Sequence, residues 1–146
     1  MVPAMAKIER YVAATVPVLA DQVRCVLGES GLISLPTESF YGLAAAPFDE
    51  QALARLWAVK GRSEGKPILI LIGERHHLAP FVQTIPRAAQ ALMDAFWPGP
   101  LTIIFPAVPG LSDAVTAGTG SVGIRLSACE SLVDLLRRVG PVTGTS

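Results

Sequence analysis

Cations and hydroxyls interrupt otherwise apolar stretches of this chain at Thr37, Ser39, Tyr41, Lys60, Arg62, Lys66, Ser121, Arg125, Thr143, Thr145 and Ser146. Such a set suits an anionic ligand. Guanidinium forks grip phosphate or carboxylate through paired hydrogen bonds, lysines add point charge, and hydroxyls take the remaining oxygens. The densest segment is Leu35-Pro36-Thr37-Glu38-Ser39-Phe40-Tyr41-Gly42-Leu43, with Lys60-Gly61-Arg62 a short way on. The apolar run Gly31 to Leu35 reads as a buried strand that stops at Pro36, because proline gives a sheet ladder no N–H. The polar residues then sit at a strand end, where open α/β sheets bind ligands. A polar turn between two strands has the same composition, and the segment alone is compatible with both. Arg125 is harder to read as plain structure: a charge inside an apolar strand needs a ligand or a carboxylate to compensate it.

Other chemistries find no footing. There is no Walker-type or dinucleotide glycine loop, no nucleophile-base pair, and no His/Cys/Asp cluster with metal-ligand spacing. His76 and His77 fall in a turn and read as surface histidines. Any reaction here would rest on positioning and charge stabilisation. The 12 basic and 12 acidic side chains give a formal net charge of zero, so a general attraction to nucleic acid or an anionic membrane has no whole-chain support, and any phosphate site must be a local cluster. Cys25 and Cys129 match no metal or redox spacing and are expected to be reduced, buried small hydrophobes. No segment reads as a signal peptide or a membrane span, which points to the cytoplasm.

The elements that must position these residues alternate between helix and strand. A short edge strand is expected over Ile8 to Ala13, then a helix from Pro17 to about Glu29, with Val18, Leu19, Val23, Val26 and Leu27 on its buried face. Strands follow at Leu32 to Leu35 and Tyr41 to Ala46. Asp49 caps a helix that ends near Lys60-Gly61, and Ile68 to Ile72 is apolar enough for a central strand. A helix from Pro86 to Phe96 is broken by Trp97-Pro98-Gly99-Pro100, and a strand covers Leu101 to Phe105. Residues Pro106 to Gly120 read as a surface loop, and Ser121 to Leu126 as a strand. Ser127 with Glu130 forms a capping box for a last helix that Gly140 ends. With 146 residues and 51% hydrophobic content, one domain is expected. Its class is α/β, a twisted mixed sheet with flanking helices.

Six segments, taken in order, carry a resemblance: Pro36 to Leu43, Lys60-Gly61-Arg62, Lys66-Pro67-Ile68, Trp97 to Thr102, Val122 to Leu126, and Thr143 to Ser146. Together they resemble the successive motifs of the YrdC/TsaC family, from roughly Ala13 to Ser146. The resemblance implies a YrdC-like fold and a threonylcarbamoyl-AMP synthase, which combines L-threonine, bicarbonate and ATP and releases pyrophosphate, usually with Mg²⁺. The product serves the threonylcarbamoyladenosine modification of tRNA. It also implies that Thr37, Tyr41, Lys66, Arg125 and Thr143 face threonine, with Arg125 on its carboxylate. Lys60, Arg62, Ser121, Thr145 and Ser146 would face the nucleotide. No resident metal is implied.

Two departures stand out: Ser63 replaces a common proline, and the chain stops at Ser146, the first residue of the family's Ser-Ala-Asn motif. The expectation is therefore a chain that folds, leaves an edge open near Val142 to Ser146 with dimerisation as one outcome, binds threonine better than ATP, and forms adenylate poorly. Lys60, Arg62, Lys66 and Arg125 should converge on one concave surface with Thr37 at its floor. Partner proteins of tRNA modification are implied as well. The alternatives are a non-catalytic module that binds a nucleotide or double-stranded RNA, and a carbamoyl-adenylate site like that of hydrogenase-maturation proteins, whose companion modules are absent from this sequence.

Overall fold

The computed structural model describes residues 5–61 and 66–145. Its elements are α1 (Val16–Gly28), β1 (Ile33–Pro36), β2 (Tyr41–Ala44), α2 (Glu50–Lys60), β3 (Leu69–Ile72), α3 (Arg87–Phe96), β4 (Ile103–Pro106), α4 (Asp113–Thr116), β5 (Ser121–Leu126), α5 (Glu130–Val139) and β6 (Val142–Gly144). Four strands form a mixed sheet in the order β4-β5-β3-β6, with β5 and β3 parallel and the other pairs antiparallel. The β1–β2 hairpin continues it: Leu43 and Thr145 exchange backbone hydrogen bonds of 2.8 and 3.0 Å, and Thr143 N–H donates to the Ala45 carbonyl at 3.0 Å.

Strand alternation divides the core between the two faces of this sheet. Ile70, Ile72, Val122, Ile124 and Leu126 turn to one side, against Leu53, Leu56 and Trp57 of α2 and Ala89 and Met93 of α3. Leu71, Val142, Leu35 and Ala44 turn to the other, against Ala20 and Val23 of α1 and Leu132, Leu135 and Leu136 of α5. The layers are helix, sheet, helix, the α/β class expected from alternating strands and helices. Asp49 caps α2 as expected, accepting from Gln51 N and Ala52 N at 3.0 Å each, and Gly61 closes that helix at φ 59°.

Several expectations give way. Residues 5–12 form no strand, and a 3-10 turn at Ala13–Thr15 leads into α1; Tyr11 instead donates to Asp134 of α5 at 3.2 Å. Residues 106–120 contain a helical turn, α4, started by the Ser112 hydroxyl accepting from Ala114 N at 3.1 Å. Cys25 is exposed and Cys129 half-buried, and both are free thiols. Ser127 makes no capping box: Cys129 is the N-cap residue of α5, and the Ser127 hydroxyl accepts from Cys129 N at 3.1 Å while donating its own proton to Glu38. Nor is there an open edge at β6. Val142, Thr143 and Gly144 are buried, with β3 on one side and β2 on the other.

Candidate functional site

On the α1/α5 side of the sheet, beside the apolar core, a cleft of about 240 Å³ opens between the hairpin and strands β3, β5 and β6. Pro67, Leu69 and Leu71 supply its apolar lining, and Thr37, Ser39, Tyr41, Arg125 and Thr145 its polar groups. Register explains the selection. Arg125 pairs with Leu71 and Gly144 with Leu69, so the four share one sheet face. Gly144 packs closely on this face: a Cβ there would stand 2.8 Å from Leu71 Cδ1 and would push that side chain aside. A larger depression of about 310 Å³ lies between α5 and the start of α1, lined by Ala13, Val16, Asp134, Arg137 and Arg138. None of those residues belongs to the polar strand-end set, so the cleft is the candidate site.

Arg125 is the charged centre of the cleft, and its surroundings show how it is tolerated. Its side chain is 20% exposed and that of Glu38 17%. Nη1 donates to Glu38 Oε1 at 3.1 Å, while Nε and Nη2 converge on Thr102 Oγ1 at 3.0 and 2.9 Å. Glu38 is thus the compensating carboxylate that the apolar strand around Arg125 demands, 87 positions away in the chain. Its second oxygen accepts from the Ser127 hydroxyl. Thr102 is fixed by the turn before β4: Trp97 Nε1 donates to the Leu101 carbonyl at 2.8 Å, Gly99 N–H reaches the Leu126 carbonyl at 2.9 Å, and the Trp97–Pro98 peptide is cis.

Thr37 holds the hairpin turn. Its hydroxyl donates to the Phe40 carbonyl at 2.6 Å and accepts from Phe40 N at 3.2 Å and Ser39 N at 3.3 Å. The turn throws Phe40 and Tyr41 outward, 75% and 72% exposed, as an aromatic wall of the cleft.

The structure therefore gathers Thr37, Tyr41, Arg125 and Thr145 from the expected set. Lys66 stands directly before Pro67 of the lining. Lys60 ends α2 and does not line the cleft, and Ser121 shares the Arg125 face but lies about 13 Å down β5. Arg62 and Ser146 lie outside the described residues, so the expected convergence of four cations is met only by Arg125 with Lys66 at the border. Thr143 is a correction. It pairs with Ile70 on the opposite face, is wholly buried, and its hydroxyl accepts from Ala45 N at 2.9 Å, so it ties β6 to β2 and cannot reach a ligand in the cleft. Glu38, Thr102 and Ser127 were missed as members of the site; the uncompensated Arg125 was the one signal that pointed to them.

Glu74, His76 and His77 bring three donor atoms within 4.8 Å of one another, away from the cleft. Nδ1 of His77 accepts from Gly73 N at 3.2 Å, which leaves its proton on Nε2 and no lone pair free in that tautomer. Burial first, and the neighbouring His76 second, hold the His77 pKa below its ordinary value, in keeping with the neutral ring.

The fold is a helix-sheet-helix sandwich of the α/β class, and its apolar-floored cleft, centred on a compensated arginine, has the donor chemistry that suits a small anionic ligand. The chain belongs to the Sua5/YciO/YrdC family, whose model, described as telomere recombination, matches residues 25–146. It is similar to a chain from Mycobacterium tuberculosis, 35% identical over 115 residues, covering 79% of this chain and 53% of that one. It is also similar to the threonylcarbamoyl-AMP synthase of Thiobacillus denitrificans, 37% identical over 114 residues, covering 78% of this chain and 61% of that one. Among solved structures, Pyrococcus abyssi Sua5 complexed with L-threonine superposes with a TM-score of 0.83 at 32% identity, covering 94% of this chain and 40% of that one. The chain spans about half the length of the Mycobacterium relative and less than two thirds of the other two.

Proposed function

We propose that this chain acts as a threonylcarbamoyl-AMP synthase, which joins L-threonine, bicarbonate and ATP into threonylcarbamoyl-AMP with release of pyrophosphate and water, for tRNA threonylcarbamoyladenosine modification. The observation that carries the reading is Arg125, hydrogen-bonded to Thr102 and Glu38 over an apolar floor in a fold matched by a relative solved with L-threonine. Arg125 takes the threonine carboxylate, with Thr37, Tyr41 and Lys66 around the same ligand. Lys60, Arg62, Ser121, Thr145 and Ser146 serve the nucleotide, where cations offset charge on the departing pyrophosphate.

The described lining residues include no carboxylate, so Mg²⁺ is assigned to the ATP phosphates as part of the substrate. Bound there, it neutralises phosphate charge. We read residues 1–146 as a single domain working in the cytoplasm; no helix among the described residues is long and apolar enough to cross a membrane. The zero formal charge gives the RNA-binding alternative no support. The test is pyrophosphate release from ATP with threonine and bicarbonate added singly and together, alongside calorimetric titration with L-threonine. Release only with both, and saturable threonine binding, is expected. Release indifferent to threonine, or no threonine binding, overturns the reading.

A further inference from the structure

We propose that Glu38 is a positioning residue that locks the guanidinium of Arg125 and, by neutralising it beforehand, makes that end of the cleft select a zwitterion over a simple carboxylate. The inference rests on the amino-acid reading of the site above.

A guanidinium carries five N–H bonds. Here three are engaged: Nη1 with Glu38, and Nε and Nη2 with Thr102. Two donors, one on each terminal nitrogen, remain for a ligand, so Arg125 can still grip a carboxylate while Glu38 stays bound. Glu38 is itself anchored, its other oxygen held by Ser127, whose hydroxyl is in turn oriented by Cys129 N–H at 3.1 Å. Hydrogen bonds thus run from the start of α5 through Ser127 and Glu38 to Arg125 and on to Thr102. A long side chain that could sweep the cleft is reduced to one orientation before any ligand arrives, so little ordering cost remains for binding.

The charge balance sets the preference. Arg125 and Glu38 sum to zero, with both side chains largely withdrawn from water. A simple carboxylate adds an uncompensated negative charge to this poorly solvated spot, whereas an amino acid brings its ammonium and leaves the balance unchanged. Glu38→Gln tests this with the side-chain shape kept: the amide oxygen can still accept from Arg125 and the amide N–H can donate to Ser127, but the charge is gone.

The probes are L-threonine and 3-hydroxybutanoate, which is threonine without its amino group, titrated calorimetrically into the chain and into E38Q. The wild-type chain is expected to favour threonine, and E38Q to reduce the threonine/3-hydroxybutanoate ratio about tenfold, chiefly by binding 3-hydroxybutanoate better. An unchanged ratio overturns the charge argument. Positioning is read without any ligand from the Arg125 ¹⁵Nη–¹H resonances, since Nη1 is the nitrogen that Glu38 holds; they are expected to be sharp and slow to exchange in the wild type and to lose protection in Glu38→Ala. If Glu38→Ala fails to fold, Ser127→Ala, which releases only one oxygen of Glu38, serves instead. Unaltered protection overturns the positioning role. Should the wild type bind neither probe, the threonine reading fails and the selectivity claim falls with it, while the resonances still decide whether Glu38 holds Arg125.

Discussion

A single arginine decides what this cleft can hold, because it is the one cation in the described lining. Removing it takes away a charge-assisted fork, so Arg125→Ala is expected to weaken L-threonine binding by about 1.5 to 3 kcal/mol, and ATP binding less. It also strips Glu38 of its partner, so some loss of stability should accompany the loss of affinity. Lys60→Ala is expected to invert the pattern, weakening ATP more than threonine. Calorimetric titration of both ligands on both variants checks this division, and equal losses throughout would contradict it. The residue scale also shows the limit of reading polar side chains by type. Thr37 and Thr143 are the same residue near neighbouring strand ends. Yet one closes a turn on the cleft wall and the other is a buried tie between β6 and β2.

Among the elements, the segment before β4 has the least obvious connection to chemistry and a close one in fact. Trp97-Pro98-Gly99-Pro100 ends α3, yet its turn is what delivers Thr102 to Arg125. Gly99 cannot be replaced quietly, since an added Cβ would collide with the Phe96 carbonyl oxygen, which is backbone and cannot step aside. Gly99→Ala is therefore expected to cost about 1 to 3 kcal/mol of stability and to weaken threonine binding by displacing Thr102. Denaturant unfolding and a threonine titration measure the two effects. Loss of stability with threonine affinity intact would mean that the turn supports the fold but not the site.

For the whole molecule, the response to acid follows from groups that stand outside the cleft. Desolvation lowers the His77 pKa, so the unfolded chain takes up a proton there more readily than the folded one. The stability linked to His77 is complete above its unfolded value of 6.5 and is lost as pH falls through the lower folded value. Asp49 follows at lower pH. Its hydrogen bond from Ser30, and then those from the amides of α2, hold its pKa below 3.8, so its capping contribution is lost as pH drops beneath that value. Melting temperature against pH should therefore fall in two separate regions, and His77→Asn should flatten the upper one while leaving the lower. A His77→Asn profile that still falls below pH 6.5 would assign that region to other groups.

What the sequence determined by itself was local. The period of apolar residues placed β5 at the residues it occupies and most other elements to within a residue or two, because alternation and helical spacing are written into neighbouring positions. Asp49 as a cap, Gly61 as a stop and Arg125 as a charge in need of a partner were legible for the same reason. Tertiary structure alone decided the rest. Ile8 to Ala13 has strand composition, but residues 5–12 join no sheet and Tyr11 is tied to Asp134 of α5 instead. Ser127 has the spacing of a capping box, but its hydroxyl proton goes to Glu38 instead. Whether Thr143 faces ligand or core depends on its pairing with Ile70, and the sheet register that fixes this joins residues 73 positions apart. The partner of Arg125 is likewise set by how the hairpin and β6 are laid beside β3. Spacing along a chain specifies which side chains share a face of one element; only the packing of elements specifies which faces meet.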